Sequence, residues 1–302
     1  MRCSARIIAL VVATSLAAAP SSSAPRDPPG ADSAPTVVIY PWSGRDTDTR
    51  GSYYVQLLRL VLGKSDGRFD IRPSAMATVN LRVMHKIASN DGIDIMWSPT
   101  STQLEQELLP VRISLDKGLL GWRLFLIDAR DQDTFAAIRT FDQLKAYEAG
   151  QVTEWADTAV MRANGLTVVD TPYYESLFRM LAAHRFRFLP RGVGEIDGEA
   201  RNYASLGLVV EQHLALHYPY CTYFFVRKDD VALARHIETG LRRAQKDGSF
   251  EALFRQFNGE AIQRAALDRR RVFELVNPTA PSGPGPGPDA CTTSGRALLR
   301  LH

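Results

Sequence analysis

Apolar positions along this chain recur in two rhythms. "TVVIY" (36–40), "FDIRP" (69–73) and "IDIMW" (93–97) are short apolar or alternating runs, and each predicts a strand. Between them, "YYVQLLRLVLG" (53–63) sets Tyr54, Leu57, Leu58, Val61 and Leu62 on one helical face and stops at Gly63. "NLRVMHKIASNDG" (80–92) does the same with Leu81, Met84, Ile87 and Ala88. A β-α-β-α-β order of this kind predicts parallel strands covered by helices.

A second series follows. "GWRLFLID" (121–128), "LTVVD" (166–170), "FRFLP" (186–190), "GLVVEQ" (207–212) and "YCTYFFVR" (220–227) predict strands. Thr140 and Gln143 have capping-box spacing, and a helix is expected over about 154–163, ending at Asn164-Gly165. Thr171-Pro172 predicts an N-cap and first turn for "YYESLFRMLAAH". Asp229 or Asp230 caps a helix with the stripe Ala234, Ile237, Leu241 and Ala244, and Ser249 to Gly259 predicts one more. No internal repeat is evident.

The ends break the pattern. Arg2 and Arg6 precede an apolar run from Ile7 to Ala19, with small residues after it, which predicts a secretory signal over 1–24. Residues 25–35 read as a disordered leader, and the Pro/Gly-rich 277–302 as a disordered tail. Losing Arg2 and Arg6 takes the balance from 36 basic and 33 acidic residues to 34 and 33, which leaves no electrostatic footprint for nucleic acid. The run Asp268-Arg269-Arg270-Arg271 reads as a solvated helix end. Of three cysteines, Cys221 and Cys291 would remain; export permits a bridge between them, but two cysteines make no framework.

Motifs for chemistry are missing. The chain has no GxxxxGK[ST], GxSxG, HExxH or paired CxxC. His213 and His217 lie four apart in a stretch that reads as extended, where that spacing makes no metal face. No metal, no cofactor and no catalytic residue is therefore expected.

The order of elements, together with "DGIDIMWSPTS", the crossover "VRISLDKGLLGWRLFLI", "YYESLFRMLAAHRFRFLPRGVGEI", "YCTYFFVRKDD" and the ending "LARHIETGLRRAQKDGSFEALFRQF", resembles the type II periplasmic solute-binding proteins, family 3, over about 36–276. The resemblance implies an α/β fold of two lobes, each a mostly parallel sheet flanked by helices, joined by a two-segment hinge that closes on a ligand. It places 36–118 plus 228–276 in the first lobe and 119–227 in the second. It implies a periplasmic or secreted monomer that binds a small polar or anionic solute and serves transporter membrane subunits or a membrane sensor. A dehydratase acting on cyclic carboxylates is the enzymatic alternative on this fold, with Glu175 or Glu195 as acid.

Two family features are absent. The arginine expected within "SPTSTQLEQELLP" is replaced by Glu105 and Gln106, with no arginine before Arg112. Arg191-Gly192 stands where an aspartate is expected, with Glu195 beyond. The candidate ligand contacts are then Arg191, at a strand end where a guanidinium can fork onto an anion, with Glu195 and Arg112. Trp42, Trp97, Tyr174, Ser98 and Thr100 complete the set. For Arg191 the competing role is an ion pair, for Trp42 and Trp97 a core plug, and Arg123 and Asp157 each have a structural reading of equal weight.

Overall fold

The computed structural model describes residues 34–42, 52–77 and 80–281. The expected signal segment, nearly all of the leader and the tail beyond 281 lie outside the described residues.

The first lobe opens with β1 (Thr36–Trp42) running parallel to β2 (Phe69–Ala77), connected through α1 (Ser52–Gly63). Tyr53, Leu57, Leu58, Val61 and Leu62 form the buried stripe of α1, so the helical spacing predicts its inward face and Tyr54 falls at the edge. After α2 (Asn80–Ala88) comes β3 (Ile95–Pro99), two residues later than the apolar run suggests. Asp94 explains the shift: its backbone N–H donates to the Ile39 carbonyl at 2.9 Å, and its carboxylate accepts from the Ile39 N–H at 2.7 Å. Next come α3 (Thr102–Glu107), capped by the Ser101 hydroxyl, and β4 (Leu108–Val111). Late in the chain, β11 (Thr222–Arg227) inserts between β3 and β4, antiparallel to both.

Helices α9 (Val231–Lys246) and α10 (Ser249–Ala265) close this lobe. The Asp230 carboxylate accepts the Leu233 N–H at 3.0 Å and caps α9. α9 crosses α1 at Gly240, where a Cβ would stand 1.9 Å from the Val61 carbonyl oxygen. Only a missing side chain lets the helices meet this closely.

The second lobe is built on β5 (Trp122–Asp128). It runs antiparallel to β8 (Leu189–Gly192), β9 (Leu208–Val210) and β10 (Leu214–His217), and β12 (Arg271–Glu274) lies parallel to β10. Beside them β6 (Ala149–Val152) pairs parallel with β7 (Val168–Thr171). The helices are α4 (Gln132–Ala136), α5 (Phe141–Leu144), α6 (Ala156–Ala163), α7 (Tyr174–Ala182) and α8 (Ile196–Asn202). The capping box of Thr140 and Gln143 forms as its spacing requires. Thr171 instead ends β7 and caps nothing; its hydroxyl accepts from the Tyr173 N–H, and α7 starts at Tyr174.

Two strands lie in the other sheet from the one expected. The stretch 220–227 was expected in the second lobe, yet β11 is the central strand of the first-lobe sheet. Residues 271–276 were expected in the first lobe, yet β12 extends the second-lobe sheet. Arg270 is no solvated helix end. It is buried and donates to the Ala265, Glu211 and Leu214 carbonyls. The described start of the tail is tied down as well: Asn277 Nδ2 donates to the Pro219 carbonyl at 3.0 Å.

Between the lobes run 112–121 and 218–221, and these touch where a Cβ on Gly121 would lie 2.2 Å from the Tyr218 carbonyl. Residues 266–270 add a further crossing from α10 to β12.

Candidate functional site

Strands β6, β7 and β8 all end at one edge of the second lobe, and there the chain turns into α6, α7 and α8. Open α/β sheets bind ligands beyond such carboxyl ends. Arg123, at the start of β5, lies at the same edge because it pairs with Gly192, the last residue of β8.

Arg123 is 4% exposed. Its Nε donates to Asp157 Oδ1 at 2.5 Å and to the Tyr218 hydroxyl at 3.0 Å, and the Tyr218 hydroxyl also donates to Asp157. The guanidinium carbon lies 5.6 Å from the Tyr218 ring centre and 5.8 Å from that of Tyr220. Burial alone would lower the pKa of this arginine, but Asp157 outweighs it and holds the group well above its ordinary value. Burial likewise pushes Asp157 up, and Arg123 reverses that, so the carboxylate stays ionised. Buried Arg123 Nη1 has no hydrogen-bond partner among the described residues. It points towards Gly192, where a Cβ would stand 3.2 Å from Nη1 and 3.1 Å from Glu195 Oε2.

Arg191 has a different setting. It pairs with Leu124, so the pleat turns it to the sheet face opposite Arg123. The expectation that it leaves the strand as an open fork is not met, because β8 runs through Arg191 and Gly192. Its Nε and Nη2 donate to Glu199 at 2.7 and 2.6 Å, and Glu195 lies 3.0 Å away. The guanidinium lies over the Trp155 ring at 4.5 Å and near Tyr174 at 5.7 Å, while the Tyr174 hydroxyl donates to Glu199 at 2.7 Å. Burial would depress Arg191; Glu195 and Glu199 lift it well above its usual value.

The first lobe adds aromatic surface. Trp97 stacks on Tyr54 at 5.6 Å and 17°, with Tyr40 at 6.2 Å. Burial first and Asp116 second push the Tyr54 hydroxyl well above its ordinary value. Thr222 donates to Asp116 at 2.8 Å.

The candidate residues thus fall into separate groups. Arg191, Glu195 and Tyr174 come together, and Trp97 stacks on Tyr54 in the first lobe. Ser98 follows Trp97 in β3 and turns to the other face, its hydroxyl donating to the Pro99 carbonyl. Thr100 and Arg112 both bind Glu105, Thr100 at 2.6 Å and Arg112 in a two-pronged pair, so Arg112 carries no open fork. Trp42 is half-buried, with its N–H donated to the Ser74 hydroxyl. Glu175 is exposed in the first turn of α7. Glu199 was missed. The i, i+4 relation of Glu195 and Glu199 beyond a strand-end arginine is the signal that would have found it.

Among the described residues no cluster of His, Cys, Asp or Glu could hold a metal ion. His217 binds Glu274 through Nδ1 at 2.6 Å. Cys221 is disulfide-bonded, and the other two cysteines, Cys3 and Cys291, lie outside the described residues. A cavity of about 480 Å³ lies between α8, β9 and α10 and is lined by none of the cluster's charged residues. Its lining includes Leu124, Val193, Ile196, Leu208 and Ala261, with no unpartnered buried polar group, so the strand-end cluster is the better site.

No family model matches the chain, and no curated protein does. Solved structures do. A protein of glutathione import from Streptococcus mutans superposes with TM-score 0.53 at 14% identity, over 75% of this chain and 96% of that one. An ancestral arginine-binding protein bound to arginine gives 0.51 at 13%, over 74% and 97%. The chain has the type II periplasmic binding-protein fold. A histidine kinase sensor domain similar to periplasmic binding proteins also shares this fold, with TM-score 0.51 at 15% identity over 74% and 96%. No helix among the described residues is long and apolar enough to cross a membrane.

Proposed function

We propose that this chain is an extracytoplasmic solute-binding protein. It captures a small polar solute between its lobes, without turnover, and presents it to the membrane subunits of a transporter. The observation that carries this reading is Arg123 Nη1, a buried donor left open at the strand-end edge of the second lobe. A buried N–H without an acceptor costs about 1–3 kcal/mol, so it is retained where something else completes it. The aromatic wall of Tyr54 and Trp97 supports the reading, since a flat or apolar part of a solute can stack there. The basic, then apolar, start of the sequence supports export.

On this proposal the first lobe is 35–111 plus 222–265, and the second is 122–217 plus 271–276. Arg123, Glu195, Trp97 and Tyr54 touch the solute, while Arg191 and Tyr174 brace Glu195 and α8. The likeness to a kinase sensor domain favours a second reading, in which the closed form reports to a receptor.

The test is a thermal-shift and native mass-spectrometry screen of small polar solutes, followed by small-angle scattering. A solute at 100 times its Kd stabilises by about 2.7 kcal/mol. For a body of this size that is a rise of roughly 5–11 °C, accompanied by a smaller radius of gyration. If no solute of any kind binds, the proposal fails.

A further inference from the structure

We infer that the gap selects uncharged or cationic solutes and rejects carboxylates and other anions. The inference rests on the solute-binding reading above and names the charge class of that same site. The expectation of an anionic solute came from Arg191, and the geometry removes its basis.

Three features of the second-lobe edge would attract an anion, and the chain has already filled each. The N-terminus of α6 holds Asp157 in its first turn, so its partial positive charge is met from within. Arg123 is paired with that same Asp157. Arg191 is paired with both Glu199 and Glu195.

Counting the cluster, Arg123 and Arg191 stand against Asp157, Glu195 and Glu199, two positive charges against three negative. Asp116, behind Thr222 on the opposite side, adds negative charge when ionised. Within this described cluster both guanidinium groups are already met by carboxylates, so neither is left to meet a carboxylate alone.

What remains open is a donor and an acceptor side by side. Arg123 Nη1 lacks an acceptor. Glu195 is the less committed carboxylate: its side chain is 32% exposed, and its one hydrogen bond from the backbone is the long 3.3 Å contact with the Gly192 N–H. A group that accepts from Nη1 and donates to Glu195 completes both. A carboxamide, a hydroxyl beside a carbonyl, or a protonated amine next to an acceptor has this pattern. A carboxylate accepts from Nη1 but meets Glu195 with a second negative charge.

The experiment uses the mature full chain and three matched probes: benzoate, benzamide and benzamidine. They share a ring that can stack and differ in head-group charge. They are measured by titration calorimetry beside equal-sized panels of anionic, neutral and cationic polar solutes in a thermal-shift screen. Benzamide or benzamidine is expected to bind at least about tenfold tighter than benzoate, and the panel hits to be neutral or cationic. Glu195→Gln removes one negative charge at an accessible position, and benzoate should then gain about tenfold relative to benzamidine. Hits confined to anions, or benzoate binding tightest in the parent protein, overturn the inference and leave solute binding standing. Binding by no probe or panel member overturns both.

Discussion

Glu199→Gln removes the acceptor charge from a guanidinium with almost no access to water. The Arg191 and Glu199 side chains are 7% and 8% exposed, and two short hydrogen bonds join them, with a third reaching Glu199 from Tyr174. Removing one member of a buried ion pair costs about 3–5 kcal/mol, because the other is left charged in a poor solvent. Glu195, at 3.0 Å from Arg191, retains part of the compensation, so the lower end, about 3 kcal/mol, is expected. At roughly 2–4 °C per kcal/mol for a body this size, the variant should melt about 6–12 °C below the parent. Thermal melts and urea titrations monitored by circular dichroism measure this directly. The double variant Arg191→Met, Glu199→Leu removes both charges together. It should recover all but about 1 kcal/mol, the remainder reflecting the Tyr174 hydroxyl left without its acceptor. Arg191 is then a brace and not a solute contact, so the double variant should bind any identified solute within about threefold of the parent. A Glu199→Gln protein that melts within 2 °C of the parent, or a double variant no more stable than the single one, would refute the reasoning.

Other outcomes follow from the same coordinates. Burial pushes the Asp116 carboxyl up to about 6 from an ordinary value near 3.8, against its hydrogen bonds from Thr222 and Gly118. The folded chain therefore holds this proton more tightly than the unfolded chain, so the Asp116 contribution falls as pH rises from about 4 to 6. Asp116→Asn should remove that slope from the pH dependence of urea stability, and an unchanged slope would assign it elsewhere. Gly240→Ala drives a methyl group into the Val61 carbonyl, so it should cost about 1–3 kcal/mol by forcing α9 from α1; a neutral substitution would mean the helices separate freely. Non-reducing peptide mapping of exported protein should join Cys221 to Cys291, the one other cysteine left once a leader bearing Cys3 is removed. A Cys221–Cys3 peptide would show that the leader is retained.

Local chemistry was legible wherever one segment decided the matter. The box of Thr140 with Gln143 joins residues three apart and formed as its spacing required, while the α9 cap was narrowed to Asp229 or Asp230 and the α1 stripe was right except that Tyr53 and not Tyr54 is buried. The two-lobed architecture was implied by the resemblance to the periplasmic binding proteins.

What the sequence could not carry was the sheet into which a strand inserts and the face a side chain takes there. β12 is four residues long and begins in a basic run, so it resembles a solvated end until β10 pairs with it. Trp97 and Ser98 are neighbours in the chain but lie on opposite faces of β3. Arg123 and Arg191 are likewise separated by the pleat of paired strands. Which arginine keeps a buried donor open depends on Asp157, Glu195 and Glu199 arriving from helices that follow other strands. A charge has no fixed meaning until its counter-charge is in place, and only the tertiary structure supplies that distance.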